Sequence, residues 1–467
     1  MPEEKKMPET ATEAVVPEAK VVDLDKAITG IIPVLGDFSK ITLLMPRLRT
    51  ADGDVIPGPE YLDPQKPDQR KRFLTKTDYA LSRMQLLKRL QVWKEVLSTS
   101  DNLDAVQKNA SNRSDKIVVT LSQNLKNIFE TLRPLESTYR SVDRFFLNAQ
   151  KEADDAIDAW FVNASLPELS DPDDRSKFEE MASYIQNPFR SFSLSECYSL
   201  LVVSGFLEDV QTIDRFSQLG EQNKVCVFTD TPNFDSVQEA VEFLNDPVYA
   251  NLAGSTPEKA YMCVGANYLL GRPKHAFEDQ DLWLPPSSAL AGLVYKNDNG
   301  VGIQQPSAGY KHGRVTGADH VKFRANQRDV TALVDKAVIP AIDWDGLVRF
   351  MGDSTLFKGE NHNVYAVRRT HDYVTKNVVH YLNKQTFLLI NNRLLDVIKK
   401  DIFNFLSPLK GEGKMIEDFN VNVTSSPEQR KAQQVDVNVT IKCFFPAKTF
   451  NIYMRPHNTE DGTKVDF

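Results

Sequence analysis

Apolar and polar residues alternate along the C-terminal part of the chain. The apolar positions of the first run share one parity: Val435, Val437, Val439, Ile441 and Cys443. After a break at residues 444–448, the alternation resumes with three more apolar residues: Phe450, Ile452 and Met454. An upstream run over residues 419–424 follows the same pattern. A period of two predicts half-buried β-strands, and the short break containing Pro446 predicts a hairpin.

Such strands must pair their edges, because the free N–H and C=O groups of an edge strand can pair with another chain. Two arrangements are open at this point. The sheet is completed within the monomer, or it is completed by a neighbouring molecule. The strand pattern alone favours completion of the sheet within the monomer, and the rest of the sequence favours completion by a neighbouring molecule.

Other stretches repeat their apolar residues at spacings of three and four, which is typical of amphipathic helices. This spacing predicts helices over residues 71–97, 117–146, 153–161 and 372–405. Pro134 lies inside the second of these, where a proline is expected to kink or end a helix. Asp372 stands at the start of the last helix and is a candidate for its N-cap.

The middle of the chain has the pattern of an α/β protein. Short continuous apolar runs at residues 200–203, 225–228 and 260–264 predict buried strands, with a helical stretch at 236–244 between them. A chain of 467 residues is long enough for several domains. We therefore expect an α+β or mixed α/β, multi-domain fold with a helical N-terminal region, a central mixed α/β region and C-terminal antiparallel strands. The expected divisions are a disordered tail (1–22), an arm or linker (23–55), a mainly helical domain (56–190), a mixed α/β domain (191–370), and a long helix with terminal strands (371–467).

Composition narrows the possible functions. The net charge of −8 argues against nucleic acid as a partner, because phosphate contacts need a basic surface. No apolar run approaches the roughly 18 residues of a membrane-spanning helix, and residues 1–6 lack the order of a secretory signal. These features predict a cytoplasmic protein that does not insert directly into a membrane. The four cysteines lie among apolar neighbours without a CxxC pair, which predicts buried free thiols.

Sequence motifs of catalysis are missing. The chain has no GxxxxGK[ST] phosphate loop, no GxSxG elbow, no HExxH pair and no GxGxxG turn. His371 and His380 are nine residues apart, which places them on opposite faces of a helix at about 100° per residue, so no metal site is predicted there. Arg368 and Arg369 form either an ion-pair anchor or a solvated basic turn. An enzyme is the alternative class, and its candidate polar cluster consists of three residues: His312, Asp319 and His320.

Three segments together resemble the contractile-sheath proteins. Residues 135–142, LESTYRSV, are similar to the LExxWRGL segment of the large sheath subunit of bacterial type VI secretion systems. Residues 284–295, LPPSSALAGLVY, resemble the PPSxxxAGxYA turn of myophage tail sheaths. Residues 364–370, VYAVRRT, resemble the VNVRR strand that precedes a helix and terminal strands in the same sheaths, and residues 455–457 resemble part of the type VI LRPHF segment. A divergent type VI branch, such as that of Bacteroidota, would account for the mixture.

The resemblance implies a structural protein and no cofactor. Sheaths of this kind are metastable helical tubes that contract around an inner tube without nucleotide hydrolysis. The implied partners are further copies of the chain, a small sheath subunit, an inner tube protein, a membrane-anchored baseplate and a separate AAA+ ATPase that recycles contracted sheath. A tail sheath of a phage or of an extracellular injection system is the nearer alternative.

The resemblance also implies that terminal segments pass from one subunit into the sheet of a neighbour. The expected inter-subunit strand residues are Val435, Val437, Val439, Ile441, Phe450, Ile452 and Met454. A second exchanged segment is expected in the N-terminal arm, with Ile41, Leu43 and Met45 as its candidate residues. No catalytic, cofactor or metal residue is assigned.

Overall fold

The computed structural model describes residues 66–97, 103–150, 157, 159–171, 173–192, 194, 197–247, 249, 252–454, 457–459 and 462–464. The predicted tail, the predicted arm and its candidate residues Ile41, Leu43 and Met45 lie outside this range. The chain divides into two compact units, residues 1–124 and residues 125–467. None of the helices in the described part is both long and apolar enough to cross a membrane.

The helices and strands are named here in chain order. The α-helices are α1 Pro67–Thr75, α2 Ala80–Leu97, α3 Leu103–Ala149, α4 Leu166–Ser170, α5 Ser176–Arg190, α6 Val210–Asn223, α7 Val237–Asn245, α8 Ser287–Gly300, α9 Gly309–His312, α10 Gln327–Val334, α11 Tyr365–Asn383, α12 Asn392–Leu406 and α13 Pro427–Lys431. The strands are β1 Leu200–Val202, β2 Cys226–Asp230, β3 Met262–Ala266, β4 Leu269–Arg272, β5 Leu282–Leu284, β6 Val338–Trp344, β7 Leu347–Phe350, β8 Ile416–Thr424, β9 Asp436–Cys443, β10 His457–Thr459 and β11 Gly462–Lys464. Short 3-10 helices lie at Thr77–Tyr79, Pro257–Tyr261 and Ser407–Leu409.

In the first unit, the single helix expected over residues 71–97 is interrupted. Its two parts, α1 and α2, are separated by Lys76, whose backbone is extended, and by the 3-10 helix Thr77–Tyr79. The Arg83 side chain donates hydrogen bonds to the carbonyl oxygens of Phe73 and Lys76, the latter at 2.7 Å. Carbonyl groups at the end of a helix lack intrahelical partners, so this arginine caps the end of α1 and stabilises the break.

Of the two expectations for Pro134, a kink or a helix end, the helix end is wrong, because α3 continues through the proline as one 47-residue helix. A proline removes one backbone donor and leaves the carbonyl one turn earlier without its partner. Pro134 is exposed to solvent, so water can satisfy that carbonyl. The helix expected over residues 153–161 is also absent at the described positions 157 and 159–161.

The second unit is built around a five-stranded sheet in the order β1-β2-β3-β6-β7. The first four strands are parallel, and β7 pairs antiparallel with β6 at one edge. The predicted runs at 200–203, 225–228 and 260–264 correspond to β1, β2 and β3. Strands that are buried on both faces read as continuous apolar runs, which explains why the sequence identified these three.

Successive residues of the central strands point to opposite faces of this sheet, and each face has its own apolar core. Val227 and Val264 belong to the core that includes Phe216 of α6, whereas Phe228 and Cys263 belong to the opposite one. The second core also contains residues of α8 and the first turn of α11.

The end of α3 lies directly against α8. A Cβ atom on Gly292 would lie 2.3 Å from the carbonyl oxygen of Phe145, so only glycine allows this approach. The buried Asn148 side chain also donates to the Thr316 carbonyl oxygen and accepts from the Thr316 N–H. The small residues of the 284–295 segment therefore serve helix packing.

The long helix predicted over residues 372–405 is two helices, α11 and α12. The Asn391 side chain accepts a hydrogen bond from the Leu394 N–H and caps α12, which starts a new helix rather than continuing the first. The strand expected over residues 364–370 is also wrong, since α11 already begins at Tyr365. Asp372 therefore lies within the helix and is not its N-cap.

Candidate inter-subunit surfaces

The C-terminal hairpin forms as the alternation predicts, but from a different pair of runs. Strand β8 pairs antiparallel with β9, and the cross-strand pairs Phe419–Ile441, Val421–Val439 and Val423–Val437 share one face. The predicted hairpin at residues 444–448 is absent. The actual connection is residues 425–435, which include the capped helix α13.

The apolar face of this hairpin is covered by its own chain. Val374, Val378, Ile398 and Ile402 of α11 and α12 form a core with Val421 and Val423. The four predicted interface residues of β9 pack against the same core: Val435, Val437, Val439 and Ile441. Their side chains therefore face inward, and the part of β9 that another chain can reach is its backbone edge.

The two-stranded sheet has no further strand on the outer edge of β9 among the described residues. On the outer side of β8, the described contact is a single bridge between Lys410 and Ile416. A free edge of this length is a template for strand addition. The fold of the second unit therefore presents an edge that a neighbouring segment can extend.

Residues 444–454 follow β9 and belong to no helix or strand. The predicted strand with Phe450, Ile452 and Met454 does not form within the chain, and these side chains are 80%, 78% and 75% exposed. Lys448 is held to the rest of the second unit, since its ammonium lies 2.5 Å from a carboxylate oxygen of the buried Asp353. Beyond that point an alternating apolar segment extends without a partner among the described residues.

A second exposed apolar surface lies on α3. Five residues of this helix follow at spacings of three and four: Leu125, Ile128, Leu132, Leu135 and Tyr139. Such spacing forms one stripe along a helix, as in coiled-coil seams. Leu135 and Tyr139 are 68% and 72% exposed, and we call these five residues the α3 seam. Sequence reasoning placed a motif here but missed the seam, although the same spacing continues upstream at Val118 and Leu121.

An ion-pair network fixes the seam-bearing part of α3 to the β4–β5 region. The guanidinium of Arg272, largely buried, binds both carboxylate oxygens of Glu136 at 2.6 and 2.7 Å and also pairs with Glu278. Arg140 adds a second cation to Glu136 at 2.8 Å. The hydrogen bonds from Arg272 lower the pKa of the Glu136 carboxyl to about 2.

Replacing Arg272 with alanine should lower the free energy of unfolding by about 3 kcal/mol, because it leaves two partly buried carboxylates without their cation. Urea unfolding followed by circular dichroism at pH 7 measures this loss. The difference should shrink as the pH falls from about 4.5 toward 2, where protonation of Glu136 removes the pairing in the wild type. The matched control is Lys126→Ala, which breaks an exposed pair with Asp279 and should cost less than about 1 kcal/mol. Equal losses in the two variants would contradict the assigned role of Arg272.

Arg368 and Arg369 both form ion pairs inside the second unit. Arg368 binds Asp372 at 2.6 Å on the next turn of α11, and Arg369 binds Asp298 of α8 with one contact at 2.9 Å. The Asp372 carboxylate also accepts a hydrogen bond from the Tyr261 hydroxyl at 3.0 Å. Arg369 therefore joins α11 to α8, and Asp372 joins α11 to the 3-10 helix that precedes β3.

The histidines do not gather into a site. His371 packs against His362 with ring centroids 4.9 Å apart, and burial lowers the pKa of His371 to about 4. The Nδ1 atom of His380 accepts the Leu194 N–H at 3.1 Å. No hydrogen bond or ion pair among the described residues joins His312 to Asp319 or His320, and His320 lies 3.8 Å from Asp343 instead. Among the residues that the structure describes, no group of three or more His, Cys, Asp or Glu side chains could hold a metal ion.

The four cysteines are free thiols. Cys226, Cys263 and Cys443 are buried as expected, and Cys197 is half-buried. The Sγ atoms of Cys226 and Cys263 lie 3.6 Å apart on adjacent strands.

Three family descriptions match the chain in consecutive stretches. Residues 53–125 match the TssC/VipB-like N-terminal region, residues 127–358 match the type VI secretion system TssC/VipB central domain, and residues 364–467 match the TssC/VipB-like C-terminal domain. A search of curated proteins finds no match.

Solved structures of contractile systems are also similar. The helical sheath of the anti-feeding prophage in its contracted state matches at 18% identity and a TM-score of 0.48, over 68% of this chain and 81% of that one. The baseplate structure of the same prophage matches at 17% identity and 0.47, over 68% and 79%. The contracted sheath complex of the extracellular contractile injection system PVC matches at 18% and 0.45, over 60% and 80%.

Proposed function

The chain belongs to the TssC/VipB family of type VI secretion system sheath proteins, and from this premise we propose how it works as a structural subunit. It assembles with further copies and with a small sheath subunit into a metastable helical tube around an inner tube. The tube contracts without nucleotide hydrolysis and drives the inner tube outward. The assembly takes place in the bacterial cytoplasm on a membrane-anchored baseplate, and a separate AAA+ ATPase recycles contracted sheath.

The observation that carries this proposal is that one chain has both an exposed segment of alternating apolar and polar residues and a strand edge that the segment leaves unpaired. Residues 449–454 have the pattern of a strand but no strand partner among the described residues, and within the same residues β9 is paired on its inner edge alone. A segment that leaves its own β9 edge unpaired and pairs with the edge of a copy produces heterologous contacts. Heterologous contacts that do not close generate a helix of subunits.

We call the pairing of this segment with the edge of a neighbouring copy the strand joint. Its stability is the sum of its ladder hydrogen bonds and its buried apolar side chains. A six-residue strand adds about three ladder hydrogen bonds at roughly 1 kcal/mol net each. Burying Phe450, Ile452 and Met454 adds about 1.5 to 3 kcal/mol per side chain. Because the joint is an extension without helix or strand, anchored near Lys448, bodies of neighbouring subunits can rotate while it stays paired. Contraction is then a shift between two packings of the same chain.

The α3 seam supports a second contact between subunits, in which a helix of the partner packs on the seam. A stripe at alternating spacings of three and four fits the apolar stripe of a partner helix, whose knobs pack between its side chains. We assign this partner to the small sheath subunit, since copies of the chain are joined by the terminal segments. The N-terminal arm around Ile41, Leu43 and Met45 is retained as a candidate for a further exchanged strand.

Expressed together with the product of its neighbouring reading frame, the chain should form tubes or rings in negative-stain electron microscopy. A phage-type or extracellular sheath would form them from this chain alone, without the small subunit. A monodisperse small particle in both preparations, with turnover of a substrate that depends on His312 or His320, would favour the enzyme instead.

A further inference from the structure

A cavity of about 320 Å³ lies in the second unit, where α11 passes between the end of α6 and the chain leading into β1. Its volume is at the lower end of the roughly 300 to 1,000 Å³ that small-molecule sites occupy. Residues of all three segments line it, including Ser199, Lys224, Lys376 and His380. Neither the strand joint nor the α3 seam uses these residues.

The cavity carries an excess of positive charge that its own carboxylates do not balance. Four cations lie in or beside it, and the two arginines are already paired, Arg368 with Asp372 and Arg369 with Asp298. Lys224 and Lys376 form no ion pair with a carboxylate among the described residues. The ammonium of Lys376 donates to the Tyr198 carbonyl oxygen at 2.7 Å, and that of Lys224 lies 5.3 Å from the centroid of the Tyr261 ring.

Placing both lysines in this position costs free energy. Burial lowers the pKa of each ammonium; Asp372 opposes this effect only partly for both, and Glu221 also opposes it for Lys224. Lys224 also ends α6 in the left-handed region, with φ of 54° and ψ of 45°. Helices usually place glycine at such a position, because a side chain there is strained. A lysine at this position brings its charge to the cavity.

Neutral donors complete the lining. His380 accepts the Leu194 N–H at Nδ1, so in the neutral ring the proton is on Nε2, which can act as a donor. The Ser199 hydroxyl is a further donor that lines the cavity. Two ammonium groups with an imidazole N–H and a hydroxyl match the oxygen-rich, multiply charged surface of a phosphate group.

We propose that this cavity is a binding site for a phosphate-type anion, held between Lys224 and Lys376 with Ser199 and His380 as further donors. The bound anion would tie together the end of α6, the approach to β1 and the middle of α11. The group comes either from inorganic phosphate or pyrophosphate, or from the phosphate end of a nucleotide. This site is independent of the proposed assembly and exists in the single chain.

Isothermal titration of the full-length chain in low-salt buffer with inorganic phosphate, pyrophosphate and ATP tests the proposal. Saturable binding at one site is expected for at least one of these probes, and the tightest of them identifies the source. Lys376→Met and Lys224→Gly should each raise the Kd at least about tenfold, since each removes a charged donor. Lys224→Gly relieves the backbone strain and should not lower the thermal midpoint, so its loss of binding reflects the missing ammonium.

The matched control is Lys384→Met, which removes an exposed lysine just beyond the end of α11 and should leave the Kd unchanged. Two results would overturn the proposal. One is the absence of saturable binding of all three probes at millimolar concentration. The other is binding whose Kd is the same in the wild type and in both cavity variants.

Discussion

Deleting residues 449–467, which also removes the β10–β11 hairpin, should abolish tube formation while leaving the rest of the subunit folded. The deletion removes Phe450, Ile452 and Met454, whose exposed side chains contribute little to the monomer. It spares the Lys448–Asp353 ion pair and the β8–β9 hairpin, which are part of the folded body. The lost joint amounts to several kcal/mol per contact, and about 1.4 kcal/mol corresponds to a tenfold change in affinity. Repeated at every subunit, the loss should leave no tubes in micrographs of the co-expressed proteins.

A matched pair of full-length variants separates the apolar anchors from chain length. Replacing Phe450 and Ile452 with serine should prevent tubes, whereas replacing Thr449 and Asn451, on the opposite parity, with serine should preserve them. Circular dichroism and the thermal midpoint should be unchanged in both. Tubes of normal length from the Phe450 and Ile452 variant, or from the truncated chain, would show that this segment is not the joint.

Leu135→Asp should eliminate binding of the small sheath subunit. The leucine is 68% exposed, so the change should not disturb the monomer. In the complex it would replace a buried apolar side chain, worth about 1.5 to 3 kcal/mol, with a charge whose burial is more costly still. The expected loss of affinity exceeds about a thousandfold and can be measured as loss of co-purification and by titration of the separate subunits.

Asn127→Asp is the control for the seam, since it adds the same charge on an exposed residue of α3 outside the stripe. At about 100° per residue, Asn127 lies roughly 100° or more from the middle of the seam. This variant should bind the small subunit as the wild type does. Equal binding by Leu135→Asp and the wild type would show that the partner sits elsewhere.

The sequence predicted those helices and strands whose pattern of apolar and polar residues lies within the element itself. Strands β1, β2 and β3 appear as continuous apolar runs because both of their faces pack against an apolar core. Strands β8 and β9 appear as alternation because one face packs on α11 and α12. The seam on α3 was also available as a spacing, but its residues read equally well as an ordinary buried helix face. Only the structure shows that four of them are exposed: Ile128, Leu132, Leu135 and Tyr139.

Other features depended on contacts distant in sequence or outside the chain. The breaks at Lys76 and Asn391 come from a capping arginine and a capping asparagine, which interrupt helices without any change in apolar spacing. The pairing of Arg272 with Glu136 joins residues far apart in sequence. Residues 449–454 have a strand pattern but pair with no strand in the part of the chain that the structure describes, and in the proposed sheath their partner belongs to another molecule.

Cryo-electron microscopy of tubes formed by the co-expressed chain and its small subunit tests the central claim most directly. The account predicts that residues 449–454 of one copy continue as an added strand in the β8–β9 sheet of a neighbouring copy, with Phe450 and Ile452 buried there. Density that returns this segment to the body of its own chain, with the outer edge of β9 left unpaired by any neighbour, would contradict it.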